Sequence, residues 1–232
     1  MSPMLMPFNP AEFLIDCIYS FIVLLSCFLI YFKTKELYDL TSHRGIKYFR
    51  GSFLFFGIAS LIRFAAHFFR EYGIRPVFSA LGLGIFGFAL LVMIYSSSLA
   101  MIYMIYSIFW KKFDRAPFNR DYFPHILAVM IAILSMARIP ALFFIFQAAW
   151  IVILITVICL AYANVRKKGR FSGLYLIYLL MFGLLIASNI LEFLSFFTPL
   201  SLFVYIVATP LFIILLYRVL RDLNSDSKRK RR

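Results

Sequence analysis

The sequence contains few of the residues that build disulfide frameworks and metal sites. It has only 3 cysteines and 3 histidines among 232 residues. Cys17, Cys27 and Cys159 all lie inside apolar runs, where a thiol behaves as a small buried hydrophobic group. We therefore predict neither a disulfide framework nor a zinc site. We place only His67 inside a membrane span, which is too few for the multi-histidine metal sites of membrane enzymes.

The sequence also lacks the common catalytic motifs. It contains no HExxH sequence, no serine nucleophile elbow and no paired-aspartate motif. Asp16, His67 and Glu192 could form an acid–base set, but nothing in their spacing requires one. We therefore expect no enzyme activity, no metal and no cofactor.

Charged residues are scarce as well. They make up 15% of the chain, whereas 63% is hydrophobic and the mean hydropathy is +0.91. Soluble domains are about a quarter charged, and a small soluble domain must leave much of its chain at the surface. The composition therefore predicts an integral membrane protein, and its 29 phenylalanines suit a surface that faces lipid.

Long apolar runs predict seven membrane-spanning helices, because about 20 apolar residues cross a bilayer core of about 30 Å. The predicted spans cover residues 11–32, 48–69, 77–110, 124–139, 141–163, 171–197 and 199–220. The third run is too short for two spans and a turn, so we expect one long, tilted helix. Residues 1–10 form a short outer segment, and residues 221–232 form a basic tail.

The distribution of positive charge predicts the orientation. All but four of the 24 lysines and arginines lie in the loops after spans 1, 3 and 5 or at the end of span 7. The exceptions are Arg63, Arg70, Arg75 and Arg138. Because positive loops stay cytoplasmic, the N-terminus should lie outside and the C-terminus inside a cell membrane. The net charge of +14 therefore reflects topology, and we expect no nucleic-acid partner.

A short internal repeat suggests a 3+1+3 arrangement of the spans. Gly57–Phe69 reads GIASLIRFAAHFF and Leu185–Phe197 reads LIASNILEFLSFF, with six identical positions. This match places span 2 against span 6 in the same direction, with span 4 as the linker. Seven spans in this arrangement resemble the transporter–opsin–receptor superfamily. The segment FKTKELYDLTSHRGIKYFR between spans 1 and 2 also looks like the membrane regions of microbial seven-helix sensors.

Departures from this superfamily limit what the resemblance implies. The seventh span contains no lysine to which retinal could attach, so opsin function is argued against. The Pro-Gln dipeptide of PQ-loop transporters is absent. No kinase or other effector domain follows the last span, so a sensor would need a separate signalling partner.

Polar residues within apolar spans are the candidate ligand-binding residues, because charges in a span are costly and commonly functional. Arg63 and His67 are neighbours on one helix face, as are Asn189 and Glu192. Arg63 lies about 9 Å and Glu192 about 7.5 Å from the outer ends of their spans, so the two could pair if spans 2 and 6 face each other. The remaining candidates are Asp16, Arg138 and Gln147. Interfacial snorkelling and structural salt bridges remain alternatives.

Two further features concern the seventh span. Pro210 removes a helical hydrogen bond and should kink the helix, either as a fixed bend or as a hinge. The basic residues at the end of the chain are candidates for contact with anionic lipids: Lys228, Arg229, Lys230, Arg231 and Arg232.

The leading functional hypothesis is a sensor or receptor-like module that binds a small polar ligand in an outward-facing pocket. It would signal to a separate cytoplasmic or membrane partner. A small-solute transporter of the 3+1+3 type is the first alternative, with Arg63, Asn189 and Glu192 along the path. A structural or assembly subunit of a membrane complex is the second.

Overall fold

The computed structural model describes residues 10–71, 75–113, 122–136 and 198–230, together with a few single helical positions. These positions are Ile145, Ala149, Val152, Ile153, Ile155, Thr156, Cys159 and Gly183. Five helices are present: α1 (Pro10–Thr41), α2 (Arg44–Glu71), α3 (Arg75–Phe113), α4 (Phe123–Met136) and α5 (Thr198–Lys230). The described ranges contain no strand, so the predicted all-α class is confirmed for them.

Three of the described helices are long and apolar enough to cross a membrane. The candidate spans are Phe13–Asp39 in α1, Arg44–Ala66 in α2 and Gly87–Trp110 in α3. The prediction of a membrane protein is therefore confirmed. The predicted spans at 141–163 and 171–197 lie outside the described residues apart from the single positions above, as does the second copy of the repeat.

The connection between α1 and α2 is much shorter than the sequence predicts. Only Ser42 and His43 separate the helices, and Ser42 takes a left-handed backbone conformation with φ of 48°. Its N–H donates to the Tyr38 carbonyl at 2.7 Å. The predicted basic loop from residue 33 to 47 is therefore mostly helix, because backbone hydrogen bonding continues once an apolar segment has nucleated it.

Helices α1 and α2 form an antiparallel hairpin. The rings of Phe13 and Phe68 lie 6.1 Å apart at one end, and the Arg50 guanidinium lies 4.5 Å from the Tyr31 ring near the other. The N-terminal end of α1 and the C-terminal end of α2 therefore lie together. We call this the N-terminal end of the bundle, and it corresponds to the predicted outer side.

Helix α3 packs against α2 and is a single helix, as expected for the long third run. Its 39 residues span about 58 Å, and it bends at Phe109, where φ is −103° and ψ is 15°. The two helices approach each other closely at Gly51, where an added Cβ would lie 2.6 Å from Cδ2 of Tyr103. Only glycine allows this contact.

Helix α5 completes the described packing by lying along α1. Tyr205 contacts Tyr19, and two turns further along α5 Phe212 stacks on Phe56 of α2 at 5.8 Å. The contact of Phe212 lies further from the N-terminal end than the contact of Tyr205, so α5 runs parallel to α1. Helix α5 continues past Pro210 and through most of the predicted basic tail to Lys230.

Candidate functional site: a buried polar cluster between three helices

Four side chains with polar groups meet near the N-terminal end of the bundle. Helix α1 contributes Asp16 and Tyr19, α2 contributes Arg63 and α5 contributes Tyr205. The two residues of α1 share a face because positions three apart are neighbours on a helix. All four are buried, with exposed fractions of 7% for Asp16, 1% for Tyr19, 5% for Arg63 and 7% for Tyr205. We call this group the polar cluster.

The two tyrosines link the acidic and basic members of the cluster. The Tyr19 and Tyr205 rings lie 4.6 Å apart. The Arg63 guanidinium carbon lies 5.3 Å from the centre of the Tyr19 ring, a distance that permits a cation–π interaction. On the other side, the Tyr205 hydroxyl and the Asp16 carboxylate form a side-chain hydrogen bond. The cluster is therefore one continuous set of contacts across three helices.

The cluster contains one acid and one base in an apolar surrounding. Asp16 and Arg63 both act electrostatically on the Tyr205 phenol, so their opposite charges lie in a shared local environment. Removing charges from water is costly unless they are compensated and hydrogen-bonded. Each lies about one turn inside the end of its candidate span, at Phe13 and Ala66 respectively, so the cluster is close to the N-terminal end.

Three buried hydroxyls next to the cluster have no hydrogen-bond partner among the described residues. They belong to Tyr19 and Ser20 on α1 and to Ser60 on α2, and each residue is at most 3% exposed. Buried polar groups are normally hydrogen-bonded, so these hydroxyls are available to a polar molecule. In the described part of the chain, no group of three His, Cys, Asp or Glu residues could hold a metal ion.

The cluster is directly connected to the proline of α5. The Thr209 hydroxyl donates to the backbone carbonyl of Tyr205 at 2.7 Å, and Pro210 follows. Such back-bonding by threonine often bends a helix, and a proline removes one helical hydrogen bond. The Tyr205 ring of the cluster therefore lies on α5 about one turn before a position that lacks a backbone N–H.

The structure brings two of the predicted ligand-binding residues together, Asp16 and Arg63. His67 lies one turn beyond Arg63 on α2, but its side chain is outside the described part of the structure, as are the side chains of Lys228, Arg229 and Lys230. The other predicted site residues lie outside the described residues altogether: Arg138, Gln147, Asn189, Glu192, Arg231 and Arg232.

Comparison with known proteins identifies one homologue along nearly the full chain. An uncharacterized protein of Archaeoglobus fulgidus is 33% identical over 226 residues, which cover 95% of this chain and 99% of that protein. No protein-family model matches the chain. No solved structure matches it either.

Proposed function

The chain belongs to the same family as the Archaeoglobus fulgidus protein, and we propose that it is a seven-helix, receptor-like membrane sensor. In this proposal a small polar ligand binds at the polar cluster. The signal passes along α5 to a separate cytoplasmic or membrane partner. The N-terminus lies outside the cell membrane and the C-terminus in the cytoplasm.

The observation that carries the proposal is the buried pair of opposite charges beside buried hydroxyls. Arg63 can bind a carboxylate or another anionic group through its planar donors, and Asp16 can accept hydrogen bonds from a cationic one. The hydroxyls of Tyr19, Ser20 and Ser60 can donate to or accept from neutral polar atoms. This combination favours a zwitterionic or strongly polar ligand, since each charge would find its complement.

The position of Tyr205 supports signalling along α5. A ligand that competes for the Asp16 carboxylate would release the Tyr205 hydroxyl from it. The Tyr205 carbonyl accepts a hydrogen bond from Thr209, next to Pro210, so a change in the ring would act close to the proline, where a helical hydrogen bond is missing. Helix α5 continues to Lys230, where the basic end could bind anionic lipids or a partner.

Ligand binding is tested by thermal unfolding of the full chain in detergent. The probes are zwitterionic amino acids, short carboxylates and short amines, each added separately. We expect at least one zwitterion to raise the unfolding temperature of the wild type. The Asp16→Asn and Tyr205→Phe variants should lose this shift, measured against their own ligand-free values. Thr34→Ala is the control, because Thr34 is buried in α1 far from the cluster and bonds its own helix at the Ile30 carbonyl.

The other candidate functions predict different results. A shift of equal size in Asp16→Asn and Tyr205→Phe would place binding elsewhere and overturn the proposed site. Uptake of the stabilising compound into proteoliposomes would favour a transporter. The absence of any shift, together with a second protein that co-purifies in fixed ratio, would favour an assembly subunit.

A further inference from the structure

A second polar group lies where α3 and α4 pack together. The Tyr95 hydroxyl lies 2.7 Å from Nδ1 of His125, and the Tyr103 hydroxyl lies 2.9 Å from Nε2. Both nitrogens of one imidazole are therefore within hydrogen-bond distance of a tyrosine hydroxyl. We call these three residues the histidine site. The Phe55 ring of α2 lies 6.3 Å from the imidazole and closes one side.

The histidine site lies level with Leu99 in the candidate span of α3. His125 contacts Tyr95 and Tyr103, which are two turns apart, so the imidazole lies midway between them. The candidate span runs from Gly87 to Trp110, and Tyr103 lies beside Gly51 of α2, next to the Arg50 that contacts Tyr31 near the far end of the hairpin. A contact at the other end of α4 supports this position of α4 along α3. Cε of Met136 lies 3.9 Å from the position that a Cβ on Gly87 would occupy.

The site is also distinct from the polar cluster. Gly51 of α2 lies against Tyr103, and Arg63 lies 12 residues further along that helix, or about 18 Å. The two groups share no residue. A function of one can therefore be measured without altering the other.

The surroundings of the imidazole contain tyrosines and few charges. Within Gly87–Trp110 the titratable residues are Tyr95, Tyr103 and Tyr106, and α4 has none besides His125. On α2, Tyr48 lies 5.5 Å from Tyr103, and the Lys47 ammonium lies 5.9 Å from the Tyr48 ring. The Arg50 guanidinium faces away, towards Tyr31 and Tyr38 of α1. No residue described as packed on the ring carries a fixed charge.

We infer that the histidine site holds a proton between α3 and α4 and transfers it between Tyr95 and Tyr103. Histidine is the side chain whose charge changes most readily near neutral pH. A neutral imidazole has one N–H and one lone pair, and a tyrosine hydroxyl can donate or accept. Both neutral tautomers can therefore keep both hydrogen bonds, as can the doubly protonated ring.

The transfer balances with water as the source and acceptor of the proton. We take the neutral ring with its proton on Nε2, so that Tyr95 donates to Nδ1 and Tyr103 accepts from Nε2. A proton from water adds to the Tyr95 oxygen as the hydroxyl proton moves to Nδ1, which gives the doubly protonated ring. Nε2 then releases its proton to the Tyr103 oxygen, whose own proton passes to water. The ring ends neutral with its proton on Nδ1, and only O–H and N–H bonds have changed.

Nitrogen-15 NMR of the full chain in lipid nanodiscs tests the inference, using protein labelled at histidine. The signals that disappear in His125→Gln are assigned to His125. We expect the wild type to show both neutral tautomers. A single neutral tautomer would overturn the inference and show that His125 makes only fixed structural hydrogen bonds. This measurement needs no variant of the two tyrosines.

The tyrosine variants provide a second measurement. Tyr95→Phe leaves Nδ1 without its partner. A buried N–H without an acceptor is rarer than a buried acceptor without a donor, so the proton should move to Nε2. Tyr103→Phe should move it to Nδ1. Each change should alter the tautomer ratio about fivefold, as expected for the loss of one hydrogen bond. Tyr106→Phe is the control, because its ring contacts Tyr48 rather than His125. Equal ratios in all three variants would contradict the transfer.

Discussion

Asp16 and Tyr205 form a hydrogen bond across the contact between α1 and α5, although they are far apart in the sequence. The bond joins a carboxylate to the helix that extends to the basic end of the chain. Because both residues are buried, neither can exchange its partner for bulk water without opening the bundle. The bond therefore couples the polar cluster to the position of α5.

The first prediction concerns this bond. Tyr205→Phe should lower the free energy of unfolding by about 1.5–3 kcal/mol, because a hydrogen bond to a charged group is lost. Tyr217→Phe is a matched control on the same helix, since Tyr217 is 62% exposed and should change stability by less than about 0.5 kcal/mol. Thermal unfolding in detergent compares the two. Equal effects would show that the Tyr205 hydroxyl makes no specific contribution.

The second prediction identifies the acidic partner of Arg63. Sequence analysis offers Glu192 as a candidate, whereas the described cluster contains Asp16. Asp16→Asn or Arg63→Gln alone should cost about 3–5 kcal/mol, because each leaves a buried charge uncompensated.

Charge-swapped double variants separate the two candidate partners. Asp16→Arg with Arg63→Asp should recover part of the loss measured for the corresponding single changes. Arg63→Glu with Glu192→Arg tests the second candidate, because additive losses would indicate that these two residues act independently. Recovery in the second pair alone would support the pairing of Arg63 with Glu192 and contradict the role given to Asp16.

The class of the protein is predictable because the signal for a membrane helix is local. A run of about 20 apolar residues is visible in the sequence without any knowledge of its neighbours. Asp16 and Arg63 are visible for the same reason, since each interrupts such a run. The length of α1 is not predictable in this way, because the charges at residues 33–36 indicate a loop. The helix instead continues to Thr41, because long charged side chains can extend along a helix towards water.

The partners within each site could not be predicted from the sequence. Tyr19 and Tyr205 look like ordinary aromatic residues of a span, and their contact depends on how α1 and α5 are rotated. The expectation that only His67 lies within a span disagrees with the predicted span 124–139, which contains His125, and the structure has His125 in α4 at the level of Leu99. Its position beside Pro124 and a polar loop suggests the membrane surface. The level of α4 along α3 depends instead on the packing of the two helices, which no local pattern records.

The third prediction concerns orientation. After Cys17, Cys27 and Cys159 are replaced by alanine, one new cysteine is introduced at Gly73 or at Ala116. With the N-terminus outside, an impermeant thiol reagent should label the first in intact cells and the second only after lysis. The opposite labelling pattern would reverse the proposed topology. The cysteine-free chain is the control for background labelling.

The fourth prediction concerns the close contact between α2 and α3. Gly51→Ala would place a methyl group 2.6 Å from Cδ2 of Tyr103. The Tyr103 ring cannot turn away without losing its hydrogen bond to His125, so either the helices separate or the bond breaks. We expect a loss of about 1–3 kcal/mol in the free energy of unfolding, as for other overpacked contacts. Thermal unfolding in detergent gives this value.

Gly84→Ala is the matched control, because an added Cβ on Gly84 meets nothing within 4 Å. This change should be neutral or stabilise α3 by up to about 1 kcal/mol, since alanine favours a helix more than glycine. If the hydrogen bond between Tyr103 and His125 breaks, Gly51→Ala should also move the His125 proton towards Nδ1, as expected for Tyr103→Phe. An unchanged His125 spectrum with the same loss of stability would mean that the backbones separate while the histidine site remains intact.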